Sequence, residues 1–190
     1  KSNLIVRQFF DFNKLCENAV DDLTKDCVIG WFQDKMEFGP RALGNRSILA
    51  DPRKENMKDI INKKIKRREQ FRPFAPSVIQ EYQKEWFDED FENIYMSSVM
   101  HAKLNKIKSI PAVVHVDGTS RVQTVKKKDN EKFYLLIKKF YEKTNVPMLL
   151  NTSFNENEPI VRKPEEAIEC LLRTNMDSLY INNFLVKKKK

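Results

Sequence analysis

Two short apolar runs do most to limit what this chain can become. Residues 27–32 read CVIGWF, and residues 146–154 read VPMLLNTSF, where the apolar run leads into a polar turn. Runs of this length are buried strands of a sheet rather than helices. Between and around them lie helix-periodic segments. Phe12, Leu15, Cys16, Ala19, Val20 and Leu23 predict a helix over 12–25. Met57, Ile60, Ile61 and Ile65 predict one over 54–66, and Phe133, Leu136, Ile137, Phe140 and Tyr141 one over 131–143. Pro164 followed by Glu165 and Glu166 opens a last helix reaching about 173, with proline and carboxylates at the end that suits them. Further strands are expected at 47–50, in 71–79 after its prolines, at 94–100, 110–116 and 121–125, and in the closing stretch 177–186. Strands and helices mix without strict alternation. The expectation is one α/β (α+β) domain built on a mixed sheet flanked by helices.

The length, 190 residues, fits one domain with a real core. No apolar run approaches the ~20 residues of a membrane helix, so no membrane partner is expected. The net charge is +8, and removing Lys187, Lys188, Lys189 and Lys190 leaves +4. That lysine run reads as a solvated end rather than a nucleic-acid arm. Three widely spaced cysteines, Cys16, Cys27 and Cys170, point to a reducing cytoplasm. With only His101 and His115 for imidazole, a zinc site is not expected, whereas magnesium arriving with a nucleotide fits. The chain starts at Lys1, which suggests a fragment of something longer.

Four segments carry chemistry. FGPRALGNRSILADP (38–52) holds two of the four glycines, Gly39 and Gly44, around Arg41 and next to Arg46. Glycine permits backbone angles other residues avoid, and Arg offers a planar fork to phosphate or carboxylate. The competing reading is a tight loop whose arginines pair with Asp34, Glu37 or Asp51. KIKRREQFRPFAP (64–76) carries Lys66, Arg68 and Arg72. An extended chain ahead of Pro73 puts these three on one face, where like charges repel unless an anion joins them. In HVDGTSRVQTV (115–125), Asp117-Gly118 is a turn between strand-like runs, with Arg121 and Gln123 on one face. In LLNTSFNE (149–156), Asn151, Thr152, Ser153 and Asn155 follow a buried strand, where α/β sheets place ligands. A simple turn or cap is the alternative there. No P-loop or GxGxxG occurs. Catalysis would rest on positioning and positive charge.

GWFQDKMEFGPRALGNRSILADPR, KRREQFRPFAPSV, IPAVVHVDGTSRVQTV and NVPMLLNTSFNENEPIV, in that order, resemble the C-terminal domain of the nodulation-type O-carbamoyltransferases. The resemblance spans 12–186, leaving 1–11 as a linker or remnant of an upstream domain and 187–190 as a lysine tail. It implies a YrdC-like twisted mixed sheet with a concave basic cavity. It also implies that carbamoyl phosphate and ATP, with Mg²⁺, are bound and converted to carbamoyl-adenylate and pyrophosphate. An actin-like N-terminal domain, absent here, would pass the carbamoyl group to an acceptor hydroxyl. Carried over by position, the resemblance makes Lys66, Arg72 and Arg41 catalytic. Arg68, Arg121, Ser153, Asn155, Asn151 and Thr152 become substrate or nucleotide contacts, and no side chain is a metal ligand. Asp34-Lys35 and Arg67 depart from the family pattern, which has Gly-Arg and an aromatic at those places. A non-catalytic nucleotide- or RNA-binding module is the alternative, weakened by lysine runs without interleaved aromatics. An interaction fragment, inactive without its partner domain, is compatible with the first reading.

Overall fold

The computed structural model describes residues 3–66 and 73–189. Eight strands form one mixed sheet: β1 (Leu4–Gln8), β2 (Ile29–Phe32), β3 (Arg46–Ala50), β4 (Ala75–Ile79), β7 (Gln123–Val125), β8 (Met148–Ser153), β9 (Ser178–Ile181) and β10 (Phe184–Lys188). Their order across the sheet is β1-β10-β9-β2-β3-β8-β4-β7. The pairs β2·β9 and β4·β7 are parallel and the rest antiparallel. The mixed α/β class expected from the sequence is what forms. The two apolar runs supply β2 and the first half of β8, inside the sheet.

Helices α1 (Phe12–Leu23) and α4 (Glu131–Thr144) pack on each other, and α5 (Pro164–Arg173) packs on β2 and β9. Side chains alternate across a strand, which separates the two layers. Trp31 meets the Phe12 ring of α1, with centroids 6.1 Å apart. Its neighbour Gly30 faces the other way, where a Cβ would strike Phe154 and Met176 at 2.7–2.8 Å. The helices begin where short polar side chains take their first amides. Asp11 accepts from Asn13 N at 2.9 Å and Asn130 from Phe133 N at 3.0 Å. Helix α4 ends on Asn145 in the left-handed region, φ 58°. None of the described helices is long and apolar enough to cross a membrane.

Several expectations need correction. The predicted helix 54–66 is α-helical only over α2 (Met57–Ile61) and continues as a π turn, Asn62–Lys66. Of 94–100, only Met100 is strand. It opens β5 (Met100–His101), which pairs with β6 (Thr119–Ser120) in a separate small ladder. Residues 110–116 form no strand; Pro111–Val113 is a 3₁₀ turn. Ile110, Ala112 and Val113 are fully buried all the same. A short apolar run reports burial, not conformation, and Pro111 has no amide for a ladder. The closing stretch is a hairpin, β9 and β10, turning at Asn182 with φ 49°. Residues 4–8 and 184–188 take part in the sheet. β1 pairs with β10 from Leu4↔Lys188 to Gln8↔Phe184, and Lys187 Nζ bonds Asp22 at 2.9 Å.

Register gathers one edge of the sheet. Ser47 lies opposite Ser153, Asn151 opposite Ala75, and Ser77 beside Gln123. Stepping back two residues along the parallel pair brings Arg121 level with Ala75. The loop ahead of β3, the end of β8, the start of β4 and the approach to β7 therefore meet at one place.

Candidate functional site

The loop over 33–45 is built to hold a shape. Gly39 and Gly44 take φ of 112° and 107°, a region that side chains rarely adopt. Glu37 Oε1 accepts from the amides of Leu43, Asn45 and Arg46. Arg46 closes the base. It donates to Gln33 O at 2.7 Å and Asp34 O at 3.0 Å, and its guanidinium lies 3.5 Å from the centroid of the Phe32 ring. Burial lowers its pKa, with Glu37 and Asp34 opposing. Asp51 is taken by Arg53 at 2.6 Å. Asp34 Oδ1 pairs with Lys132 at 2.6 Å, so among the described residues none of Asp34, Glu37 and Asp51 forms an ion pair with Arg41 or Arg46, although Glu37 and Asp34 support the charge of Arg46. Arg41 is exposed and, among the described residues, makes no hydrogen bond or ion pair.

A buried polar network ties this loop to three strands. Asn151 Nδ2 donates to Ala42 O (3.1 Å), Ser77 Oγ (2.9 Å) and Gln123 Oε1 (3.2 Å). Gln123 Nε2 donates to Leu43 O at 2.9 Å, and Ser77 Oγ donates to Gln123 Oε1 at 2.5 Å. The carbonyls of Ala42 and Leu43 are both clamped, which fixes where Arg41 starts. Arg121, two residues before Gln123, reaches the same place. Its Nε is buried and, among the described residues, has no hydrogen-bond partner. Burial lowers its pKa, and the charge of Arg41 lowers it further. Both guanidiniums line a cavity of about 90 Å³ with Pro40, Ala42, Pro73, Phe74, Ala75, Met96, Asn151, Thr152 and Ser153. Asn151 Oδ1 is buried there and receives no donor among the described residues. Two cations facing a common space repel, so the arrangement favours an anion between them.

Lys66 stands behind this cavity, not in it. Its side chain is buried, and Nζ donates to Ser153 O (2.7 Å), Ser153 Oγ (3.2 Å), Asn155 O (2.8 Å) and Asn155 Oδ1 (2.6 Å). Ser153 Oγ donates to Asn155 Oδ1 at 2.7 Å, and Asn155 Nδ2 to Glu158 O at 2.6 Å. The ammonium therefore shapes the turn after β8. Arg68 and Arg72 lie outside the described residues, and with them the shared face proposed for Lys66, Arg68 and Arg72.

A larger cavity of about 410 Å³ opens beside the first and shares Pro40, Arg41, Met96 and Arg121 with it. Phe38, Leu43, Tyr95 and Ser97 complete its lining. Sequence reasoning missed Tyr95, Met96 and Ser97 because it placed them in a strand. They belong to a turn organised by buried Asn93. Asn93 Nδ2 donates to Ser98 O and Val122 O at 2.9 Å each, and its Oδ1 accepts from Ser97 N and Oγ at 2.9 Å. That network fastens the turn next to Arg121. Met96 sits on it at φ 54°, an uncommon angle for a non-glycine residue.

Comparison with known proteins places these features in context. The family described as carbamoyltransferase C-terminus matches residues 20–188. Nodulation protein NolO of Bradyrhizobium diazoefficiens is 46% identical over 179 residues, covering 92% of this chain and 33% of NolO. The 3'-hydroxymethylcephem-O-carbamoyltransferase of Amycolatopsis lactamdurans is 42% identical over 130 residues, covering 68% of this chain and 24% of that enzyme. The chain thus spans a third or less of the length of these relatives. Among solved structures, full-length HypF in its phosphate- and nucleotide-bound form superposes with a TM-score of 0.59. The match covers 89% of this chain and 25% of HypF at 16% identity, a likeness of fold.

Proposed function

This chain belongs to the carbamoyltransferase C-terminus family, and from that premise we propose that it is the activating part of an O-carbamoyltransferase. In this reading it binds carbamoyl phosphate and ATP and makes carbamoyl-adenylate. The remainder of a longer protein, an actin-like N-terminal domain, passes the carbamoyl group to a hydroxyl. The observation that carries the proposal is the pair Arg41 and Arg121, lining one small cavity while neither guanidinium has a carboxylate partner among the described residues.

The chemistry asks for fixed positive charge. Water hydrolyses carbamoyl phosphate, breaking its carbamoyl–phosphate linkage to give carbamate, phosphate and a proton. A carbamate oxygen then attacks the α-phosphorus of ATP, and the bond to the bridging oxygen breaks with its electron pair leaving on pyrophosphate. Negative charge grows on the non-bridging oxygens. Arg41 and Arg121 would neutralise it from positions fixed before reaction, which saves reorganisation. Ser153 and Thr152, lining the cavity, would donate hydroxyls, and Asn151 Oδ1 would take a donor from the ligand. Lys66 acts in this reading through the turn it holds, presenting Ser153 and Asn155. Arg72 and Arg68 are kept as phosphate contacts from the family pattern. Among the described residues no carboxylate lines the small cavity. The donor set therefore suits Mg²⁺ carried in on nucleotide oxygens, where the ion would offset phosphate charge, rather than a protein cage.

The test is ATP–pyrophosphate exchange. Exchange should require carbamoyl phosphate and be lost in Arg41→Ala. Exchange that persists in the Lys66→Ala, Arg72→Ala double variant overturns the assignment.

A further inference from the structure

Two polar atoms of one short segment are buried and, among the described residues, have no hydrogen-bond partner: Nε2 of His115 and Nε of Arg121. A tight turn sets the two residues close. His115 N donates to Thr119 O at 2.8 Å, and Gly118 N donates to His115 O at 3.0 Å. Arg121 follows Thr119 by two residues, the spacing that puts side chains on one face of an extended segment. The His115 ring lies against Thr119, with Nδ1 3.0 Å from Oγ1. The charge of Arg121 reaches the ring as well.

The tautomer of the ring follows from its neighbours. Asp117 Oδ1 accepts from Thr119 N at 2.9 Å and from Thr119 Oγ1 at 2.7 Å. A hydroxyl has one hydrogen, and Thr119 gives it to Asp117. The bond between Nδ1 and Oγ1 therefore takes its hydrogen from the ring. In the neutral imidazole that leaves Nε2 a bare acceptor. Burial favours this neutral form, and the charges of Lys58 and Arg121 add to it against Asp117. Lys58, on α2, gives its ammonium to Val114 O at 3.0 Å, the carbonyl just ahead of His115.

Arg121 needs such an acceptor. A guanidinium carries five N–H groups and accepts nothing. An anion held between Arg41 and Arg121 takes the hydrogens on the terminal nitrogens, and Nε–H stays behind in dry surroundings. A buried donor left bare costs the free energy of its desolvation. We propose that His115 is the positioning residue of Arg121: its Nε2 accepts from Arg121 Nε–H when an anion occupies the small cavity, and this aims the guanidinium. The proposal rests on the anion-binding reading above and extends it to a residue that lines neither of the two cavities Arg121 borders. His115 touches no substrate; it acts through Arg121, on a mount fixed by Asp117 and Thr119.

Two amides divide the ring between them. His115→Asn keeps an N–H where Nδ1 stood, able to hold Thr119, and has nothing at the Nε2 position. His115→Gln reaches the Nε2 position with an oxygen and gives up the Thr119 bond. Binding of inorganic tripolyphosphate is measured at neutral pH by calorimetry on the full chain and both variants, beside thermal melts and nitrogen NMR spectra of the imidazole. The wild-type Nε2 should resonate as a bare acceptor in the free chain and shift to a hydrogen-bonded one as tripolyphosphate binds. His115→Asn should weaken tripolyphosphate about tenfold or more, the loss expected for one hydrogen bond to a charged group, while melting close to wild type. His115→Gln should melt earlier yet keep most of the affinity. A purely structural histidine predicts the reverse order. That reverse order, equal affinities in wild type and His115→Asn, equal loss in both variants, or an Nε2 that carries a proton in the free chain overturns the role of His115 and leaves the anion site standing. A wild-type chain that binds no tripolyphosphate removes the anion site and this proposal with it.

Discussion

Lys66 and Asn155 stand 89 positions apart in sequence and are joined by a hydrogen bond of 2.6 Å from Nζ to Oδ1. The same ammonium holds both Ser153 oxygens. A buried cation satisfied by four oxygens is a structural hinge pin first. Lys66→Met should strand those acceptors in a dry environment and cost about 2–3 kcal/mol of stability. Nucleotide binding should fall too, since the Ser153 turn lines the small cavity. Chemical denaturation together with ATP titration checks this. A Lys66→Met protein as stable as wild type would show that the turn holds itself.

Arg41 and Arg46, five residues apart, should separate binding from folding. Arg41→Ala removes an exposed side chain with no described partner, so stability should change by less than about 0.5 kcal/mol. Carbamoyl-phosphate-dependent exchange should drop by about 10²–10³. Arg46→Ala removes the donors to Gln33 O and Asp34 O and the cation over Phe32. It should cost about 2–4 kcal/mol, with any loss of exchange following from loop disorder. Reversed outcomes for the two arginines would exchange their roles.

The sequence made Arg41 and Arg46 look alike, and only the fold tells them apart. Both lie in one glycine-bounded loop with three acidic residues nearby. Arg46 is the first residue of β3, so its side chain turns into the sheet edge under Phe32; Arg41 lies on the loop above. The β8 turn was legible because a polar stretch directly follows an apolar run. Tyr95 and Met96 were not. Their position depends on Asn93 reaching Val122, a contact across 29 residues that no local pattern announces. Residues 110–116 misled for the opposite reason, since the burial of Ile110, Ala112 and Val113 goes with a 3₁₀ turn.

The two histidines should give stability opposing pH dependences. His115 is partly buried, and burial holds its pKa below the ordinary 6.5, with the charges of Lys58 and Arg121 assisting against Asp117. The unfolded chain then takes up the proton first. Stability contributed by neutral His115 is full above about pH 6.5 and declines as pH falls toward the folded value. His101, exposed and bonded to Glu89, has its pKa raised. Its contribution is full below pH 6.5 and is lost as pH rises through the folded value. Subtracting variants isolates each slope. His115→Asn should flatten the acid-side decline, and His101→Asn should flatten the decline on the other side. Melting curves from pH 5 to 8 that are parallel for wild type and His115→Asn would contradict the assignment.

Gly39 and Gly44 share a backbone conformation but not a neighbourhood, and the difference predicts unequal costs. A Cβ at Gly39 would meet nothing within 4 Å, whereas one at Gly44 would strike the Phe133 ring of α4. Gly39→Ala should therefore cost only backbone strain, about 1–2 kcal/mol. Gly44→Ala adds a steric conflict with a fully buried ring and should cost about 1–3 kcal/mol more. Shortening the opposing side chain tests the cause. Phe133→Leu destabilises alone, but combined with Gly44→Ala the losses should sum to less than their parts by at least about 1 kcal/mol. With Gly39→Ala the same substitution should be additive. A double-mutant cycle measured by urea denaturation gives both coupling terms directly. Equal coupling in the two cycles would mean that helix α4 does not set the height of the loop from which Arg41 projects.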